Sequence, residues 1–200
     1  MRFIVYIIFS IFFISQNLFA NEASNWLKKE IDIILDAYQN INISKETKFL
    51  MIEDTINYKF AGKALGKAVA KKAYNIASDD ERKEYIALFK RHLALYIASM
   101  MQGYSNQHYD IISSKYNEKN QTTMIDMKIS SESSNIIVTW RVINHKNNFY
   151  VIDLYIANIS LMQAKRSEFN SILKNINNNL KKFNRILKKQ NEESYLKIIN

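Results

Sequence analysis

Cysteine and proline are absent from this chain of 200 residues, and glycine occurs three times. The absence of cysteine excludes disulfides, a thiolate nucleophile and cysteine-ligated metal sites, although it does not identify the compartment. The lack of proline and glycine accompanies an abundance of Asn, Ile and Lys, which we interpret as the codon bias of an AT-rich genome. Large aromatic side chains are abundant, with 12 Tyr and 11 Phe.

Catalytic signatures are also missing. The three histidines, His92, His108 and His145, have neither HxxxH nor HExxH spacing. His92 lies on an apolar helix face, where a hydrogen-bonded core residue is the more frequent role. The sequence contains no Gly-rich phosphate loop and no Ser-His-Asp order of the hydrolase type. We therefore predict that the protein is not an enzyme and has no metal site and no cofactor.

The charge of the chain is strongly positive. With 28 Lys and Arg against 19 Asp and Glu, the formal net charge is +9. This charge suits an anionic partner, such as lipid headgroups or nucleic acid, without choosing between them. A length of 200 residues corresponds to one domain or a domain with tails, long enough for a real core or an internal cavity.

The first 20 residues have the pattern of a secretory signal peptide. Arg2 supplies the positive start, an apolar run of about a dozen residues follows, and Leu18-Phe19-Ala20 is a possible cleavage site. The run is shorter than the ~20 apolar residues of a transmembrane helix, although an uncleaved anchor is the alternative. We predict a signal peptide over residues 1–20, a folded domain over 21–190 and a frayed tail over 191–200.

Two alternating strands and a polar link form the centre of the sequence. In the first strand Ile136, Val138, Trp140 and Val142 share one face. In the second strand alternation predicts one face with Tyr150, Ile152, Leu154 and Ile156, and the other with Val151, Asp153 and Tyr155. The link, residues 144–148, is a plausible loop between antiparallel partners, so we predict a β-hairpin with one apolar face.

Helical periodicity fills most of the remaining chain. The first amphipathic helix after the signal peptide has an apolar side of Trp26, Leu27, Ile31, Ile34, Leu35 and Tyr38. Ser44 is expected to begin one helix, and Ser78 with Glu81 forms a capping box that begins another, which runs to about Gly103. Asp79, Asp80 and Glu81 are explained by this helix start rather than by catalysis. The helix that ends at about Gly103 carries a wide apolar stripe of Tyr85, Leu88, Phe89, His92, Leu93, Tyr96 and Met100.

Two further strands and a C-terminal helical region complete the pattern. Met124 to Ile129 alternates as a third strand, and Tyr109 to Ile112 is a candidate short fourth. After the hairpin an apolar helical face is opposed by basic residues, and the run Asn177-Asn178-Asn179 is expected to break this helix in two. The basic residues are Lys181, Lys182, Arg185, Lys188 and Lys189. A solvated face is their default role, and weak attraction to anionic membranes or acidic partners is the functional hypothesis.

The segment YVIDLYIANISLMQAKRSEF resembles the end of the MlaC family, periplasmic proteins that ferry phospholipid between the two membranes of Gram-negative bacteria. The matching positions are Tyr150, Asp153, Ile159, Ser160, Leu161, Arg166 and Phe169. Asn158 stands where the family usually has Gly, and Asn tolerates a left-handed backbone, so we predict a positive φ there. Ser160 is expected to cap the helix that follows. AGKALGKAVAKKAYN resembles the Ala-Leu-Gly segment of the family, and its pairs Ala61-Gly62 and Leu65-Gly66 are expected to let backbones approach closely. Arg82, Tyr85, Phe89, Leu93 and Tyr104 resemble its central helix, so the likeness covers roughly Ala61 to Phe169.

The resemblance implies a fold, a ligand and partners. The implied fold is α+β, with a small, twisted, mainly antiparallel sheet covered by helices on one face and an apolar lipid pocket between them. The implied function is a monomeric periplasmic phospholipid carrier that does not bind nucleic acid. Its partners are an inner-membrane MCE-domain ABC transporter complex and an outer-membrane lipoprotein complex. The predicted lipid-binding residues are Phe60, Leu65, Tyr85, Phe89, Leu93, Tyr96, Met100, Ile125, Met127, Val138, Trp140, Tyr150, Ile152, Leu154 and Phe169.

Two other functional classes stay open at this point. The first is a small periplasmic hydrolase or isomerase with a cone-shaped α+β fold, which would need Asp153 and His92 within about 3 Å in one pocket. A salt bridge or a turn hydrogen bond is the simpler role for Asp153. The second class is a basic interaction module, which binds nucleic acid or an acidic protein and has no pocket.

Overall fold

The computed structural model describes the backbone of residues 2–104, 107–131 and 135–200, with side chains from Ala20 onward in these ranges. It divides into two compact units. Unit 1 comprises Met1–Asp32 and Gln107–Asn158, and unit 2 comprises Ile33–Asn106 and Ile159–Asn200. The described ranges contain seven helices and five strands, and the strands form one open, antiparallel sheet. This confirms the predicted α+β class.

The sheet follows the order of the chain. Its strands are β1 His108–Asn117, β2 Thr122–Ser130, β3 Asn135–His145, β4 Asn148–Ile156 and the two-residue β5 Ile159–Ser160, in the order β1-β2-β3-β4-β5. Each of the pairs β1 with β2, β2 with β3 and β3 with β4 is antiparallel. The predicted strands are all present, and β1 is longer than the predicted Tyr109 to Ile112 because it pairs with β2 along its whole length.

The two faces of the sheet differ in charge. We call the face that carries Ile125, Met127, Val138, Trp140, Val142 and Leu154 the apolar face, because the strand register brings these residues side by side. The opposite face, here the polar face, carries all six Asp, Glu, Lys and Arg residues of β1 to β4, namely Asp110, Lys115, Asp126, Lys128, Arg141 and Asp153. Ser113 and Thr139 each donate a hydrogen bond of 2.6 Å to Asp126, one from each neighbouring strand.

A β-bulge in β4 makes the two faces of that strand differ from the predicted ones. Arg141 pairs with Asp153, but the next residue of β3, Val142, pairs with Val151, so Ile152 is the extra residue. The bulge shifts the alternation by one position. Val151, 2% exposed, therefore lies on the apolar face, and Tyr150 pairs with Ile143 on the opposite face. The prediction that Tyr150 shares a face with Leu154 is wrong for this reason.

The β3–β4 connection is tighter than the predicted link over residues 144–148. His145 pairs with Asn148, so only Lys146 and Asn147 form the turn. Their φ angles are 53° and 61°. Positive φ at both central residues is the requirement of a two-residue type I′ hairpin turn, whose twist matches that of the strands.

Four of the seven helices in the described ranges begin at a polar capping residue. The seven helices are α1 Arg2–Gln39, α2 Lys45–Lys59, α3 Gly62–Val69, α4 Lys71–Ile76, α5 Asp79–Met101, α6 Leu161–Asn175 and α7 Leu180–Ile199. Ser44, Ser160 and Asn179 each accept a hydrogen bond from a backbone N–H three residues later, and Ser78 and Glu81 form the predicted capping box. Each such cap stabilises its helix by about 1 kcal/mol.

The C-terminal region differs from the sequence expectation in its last residues. The asparagine run separates α6 from α7 as predicted, and Asn177 and Asn178 both have a φ of 56°. The expected frayed tail from residue 191 is instead the continuation of α7. Asn191 and Ile198 are 2% and 5% exposed, so this end of α7 is packed against the rest of unit 2.

The first helix joins segments that were expected to be separate. α1 runs continuously from Arg2 to Gln39, through the predicted signal peptide and the amphipathic helix that follows it. The side chains of residues 2–19 lie outside the described part of the chain. Among the helical residues whose side chains are described, no helix combines the length and apolarity that crossing a membrane requires.

The turn between β4 and β5 yields a stability prediction. Ala157 and Asn158 have φ of 48° and 66°, so the predicted positive φ of Asn158 is confirmed. Asn158→Gly should leave the free energy of unfolding unchanged or raise it, whereas Asn158→Val should lower it by about 1–2 kcal/mol, because a β-branched residue resists this backbone conformation. Chemical denaturation measures both. Asn117→Val in exposed strand β1 is the control, and equal stability of the Gly and Val variants at position 158 would contradict the prediction.

Candidate functional site

Five of the predicted lipid-binding residues lie together on the apolar face of the sheet. Trp140 pairs with Ile125 and Leu154, and Val138 pairs with Met127. All but Trp140, which is half-buried, are less than 9% exposed. Two other predicted residues do not join this group, since Tyr150 lies on the polar face and Ile152 is the bulge residue.

The unit 1 part of α1 packs on the same apolar face. The Ser114 hydroxyl donates a 2.9 Å hydrogen bond to the backbone oxygen of Ala20. The ring centroids of Trp26 and Phe149 are 5.6 Å apart. The Tyr109 hydroxyl donates to Asp32. By register Ser114, Tyr109 and Phe149 all project from the apolar face. A buried stripe on α1 faces this layer, formed by Ala20, Ala23, Leu27 and Ile31.

The last residues of the unit 1 part of α1 include an ion pair. Lys28 lies 2.7 Å from Asp32. Burial acts to raise the pKa of Asp32, but the hydrogen bonds from Lys28 and Tyr109 together outweigh it, so the pKa is lowered. Burial and the hydrogen bond to Asp32 raise the pKa of Tyr109 to about 12. Sequence reasoning found the apolar side of α1 from Trp26 onward. It missed the alanines, because Ala20 was assigned to a cleavage site.

A cluster of aromatic rings forms the centre of unit 2. Tyr85, Phe89 and Phe169, three predicted lipid-binding residues, are fully buried together with Phe183. The ring centroids of Phe169 and Phe183 are 4.9 Å apart, and those of Phe89 and Phe169 are 6.2 Å apart in an edge-to-face contact. Phe60, Leu65 and Leu93 are buried as well, Tyr96 is half-buried and Met100 is 40% exposed.

Glycine allows α3 to approach α5 closely, as the sequence predicted. A Cβ atom on Gly66 would lie 2.7 Å from Cδ1 of Ile86 and 3.0 Å from Cδ1 of Phe89. The Tyr85 hydroxyl donates a 3.0 Å hydrogen bond to the backbone oxygen of Gly66, and burial raises the pKa of Tyr85 well above its ordinary value. The short distance between the helices therefore positions the Tyr85 ring.

His92 belongs to a polar network that joins α5, α6 and α7. Its Nδ1 lies 3.1 Å from Oδ1 of Asn191, and its Nε2 lies 3.1 Å from Nζ of Lys165. Because Asn191 donates its amide to the Leu88 backbone oxygen, its oxygen faces His92 and accepts from Nδ1–H. The Lys165 ammonium then donates to Nε2. The prediction of a hydrogen-bonded core histidine is confirmed.

Lys165 is the charged member of this network. Its side chain is 8% exposed, its ammonium lies 2.8 Å from Glu168, and it stands 4.4 Å from the centroid of the Tyr96 ring. A buried ammonium is tolerated because the carboxylate, the imidazole and the ring face together replace water. Periodicity could not identify it, since Lys165 reads as an ordinary surface lysine in the sequence.

Unit 2 also contains a pocket of about 280 Å³, lined by Tyr38, Lys45, Lys48, Met101, Gln102, Tyr104 and Ile198. Lys48 donates to the backbone oxygen of Tyr38 and Lys45 to that of Asn200. The volume lies just below the ~300–1,000 Å³ of typical ligand pockets. None of the predicted lipid-binding residues lines it, and two ammonium groups do not suit acyl chains.

The half-buried His92 predicts acid sensitivity. Burial and the neighbouring Lys165 lower the pKa of His92 to about 4, from the ordinary 6.5. Between these values the unfolded chain binds a proton that the folded chain does not, so the free energy of unfolding should fall as the pH drops from 6.5 to 4, by up to about 3 kcal/mol. His92→Gln should remove most of this slope in denaturation curves measured across that range. The exposed His145→Gln is the control, and identical slopes in both variants would contradict the assignment.

Comparisons with known proteins agree with this architecture. The family described as MlaC protein matches residues 27–189. A phospholipid-binding protein from Ralstonia solanacearum, solved in complex with a phospholipid, superimposes with a TM-score of 0.73 at 12% sequence identity. The alignment covers 88% of this chain and 98% of that one, and at this identity it shows a shared fold. A comparison with curated proteins returned no match. Since the family match extends over most of its length, the chain belongs to the MlaC family.

Proposed function

We propose that this protein binds phospholipid and carries it through the periplasm, between an inner-membrane MCE-domain ABC transporter complex and an outer-membrane lipoprotein complex. The observation that carries the proposal is the apolar face of the sheet, which holds none of the charged residues of β1 to β4. Family membership supports it, as does the phospholipid bound to the Ralstonia protein of the same fold.

The energetics of lipid transfer explain why an uncharged surface suits this role. A diacyl lipid carries ~30 methylenes, each worth ~0.8 kcal/mol when removed from water, so unshielded passage would cost on the order of 25 kcal/mol. A carrier must therefore shield nearly all of the acyl chains. It must also release them to a bilayer, which is easier when few directional polar contacts hold the ligand. Ile125, Met127, Val138 and Leu154 are buried in the layer beneath α1 and provide uncharged side chains of this kind. The lipid-binding residues of unit 2 remain a prediction.

The catalytic alternative has less support. Both ring nitrogens of His92 are engaged, by Asn191 and by Lys165, so neither is available as a base. Asp153 pairs in register with Arg141, and its Oδ1 accepts the backbone N–H of Leu154 at 2.8 Å. Within the described residues no group of three His, Cys, Asp or Glu side chains is arranged to hold a metal ion.

The N-terminal segment supports export. We propose that residues 1–20 act as a signal peptide that is cleaved near Ala20, and that the remaining chain acts in the periplasm. The positive start, the apolar run and the small residue at position 20 support this assignment. Mass measurement of the protein recovered from the periplasm tests the cleavage position.

A pair of neighbouring substitutions in β3 tests the lipid surface. Val138 is 7% exposed on the apolar face, and Ile137 is 39% exposed on the other. The wild-type protein, purified gently and extracted with organic solvent, should release phospholipid that mass analysis identifies. Val138→Asp should abolish this lipid because it places an unpaired charge among apolar groups, whereas Ile137→Asp should retain it. If the Asp variant unfolds, Val138→Thr replaces it. This variant keeps the side-chain shape and should reduce the lipid content less strongly.

The outcomes of this experiment are distinct. Absence of phospholipid from the wild-type protein would refute lipid binding. Equal lipid content in folded Val138→Asp and Ile137→Asp proteins would move the binding surface away from the apolar face.

The basic face of α7 yields a second test of the proposed transport. Lys181, Lys182, Arg185 and Lys188 are exposed within about a third of the helix circumference. In the described part of the chain none of the four lies within 4 Å of a carboxylate. If they attract anionic membranes, at roughly 1 kcal/mol each, reversal of all four to Glu should slow lipid transfer between vesicles at low salt without removing bound lipid.

A matched control lies in the same unit. Lys63, Lys67, Lys71 and Lys72 are exposed on α3 and α4, and their reversal changes the net charge by the same amount. Transfer rates are measured over a salt series. At low salt the α7 variant should transfer lipid more slowly than the control variant, and at high salt the two rates should be equal. Equal rates at every salt concentration would reject a specific role of α7.

A further inference from the structure

Among the residues of unit 1 whose side chains the structure describes, two buried polar atoms have no hydrogen-bond partner. They are Nε1 of Trp140 and Oγ of Ser24. Buried tryptophans normally pair their indole N–H, and a helical serine can bond to the carbonyl four residues earlier. Unpaired buried donors destabilise a fold and are rare, so each one calls for an explanation.

Both atoms belong to the layer between α1 and the apolar face. Trp140 stands in register between Ile125 of β2 and Leu154 of β4, on the apolar face. Ser24 lies within the buried stripe of α1, one residue after the fully buried Ala23. Because α1 contacts residues of the apolar face at Trp26 and Asp32, both after the proposed cleavage site, we assign the two unpaired groups to opposite walls of one layer.

The surroundings select the kind of acceptor that would pair with these donors. An indole N–H only donates, so its partner must be an acceptor. A phosphate would bring a negative charge, which is costly to bury without a cation beside it. The charged residues of β1 to β4 all lie on the polar face, so the strand side chains of the apolar face include no cation. A neutral carbonyl oxygen avoids this penalty. A diacyl glycerolipid carries two such groups, the ester carbonyls at the head of its acyl chains.

We propose that Trp140 donates a hydrogen bond from Nε1 to an ester carbonyl of the bound lipid, and that Ser24 Oγ serves as a second donor. Trp140 is then a specificity residue, which distinguishes ester-linked acyl lipids from ether-linked alkyl lipids with the same headgroup and chain length. This inference rests on the proposed lipid-binding function and adds the polar recognition that an apolar surface alone lacks.

A competition between two lipids tests the inference. The delipidated protein is mixed with equal amounts of diacyl and dialkyl phosphatidylethanolamine of equal chain length. The bound lipids are then extracted, and mass spectrometry measures the ratio of diacyl to dialkyl lipid. The wild-type protein should favour the diacyl lipid by about fivefold or more, the ratio that one net hydrogen bond supports. Trp140→Phe keeps an aromatic ring and removes the N–H, so it should bring the ratio close to one. Ser24→Ala should reduce the ratio in the same direction.

The controls separate recognition from packing. Trp26→Phe alters the other tryptophan, whose ring packs against Phe149, and should leave the lipid ratio unchanged. Without lipid, Trp140→Phe should remain folded by circular dichroism, so a lost ester preference cannot be ascribed to unfolding. No lipid bound by the wild-type protein would refute the proposed function itself. Lipid bound without ester preference, or a preference that survives in Trp140→Phe, would overturn this inference while leaving lipid binding intact.

Discussion

The antiparallel register of the sheet is the constraint on which the rest of unit 1 depends. A slip of one residue would exchange the two faces of a strand and move charged groups among the apolar ones. Asp126 opposes such a slip, because it accepts hydrogen bonds from Ser113 on β1 and Thr139 on β3. These bonds need the three residues side by side on one face. The polar face thus holds the strands in the register that leaves the apolar face free of charge.

The bulge at Ile152 shows where sequence reasoning ends. The alternation of β2 and β3 was predicted residue by residue, because period-2 patterning follows directly from strand geometry. In β4 every residue from Phe149 to Ile152 is apolar or aromatic, so neither face is marked by polarity. Only the pairing of Val142 with Val151 reveals the extra residue. The apolar face of the candidate site was therefore predictable on two strands and only in part on the third.

Unit 2 shows the same limit for buried polar groups. Caps at Ser44, Ser78 and Ser160 were readable because each cap is local, within three residues of the amide it binds. The partners of His92 come from positions 165 and 191, far away in the chain, and no spacing rule connects them. The stripe of α5 correctly placed His92 in the interior. That Lys165 would join it there depends on the packing of three helices.

Charge is divided unequally between the two units. Unit 1 contains eight Lys and Arg and eight Asp and Glu, so the formal charge of +9 belongs to unit 2. The surface proposed to take acyl chains is thus in the unit without net charge, and the surfaces proposed to approach anionic membranes are in the other. This division matters because an ammonium near the acyl chains would be costly to bury, while the same ammonium on an exposed helix costs nothing and attracts anionic lipid over about a Debye length. Substitutions on α7 can therefore alter the rate of membrane encounter without changing how tightly the apolar face holds its ligand.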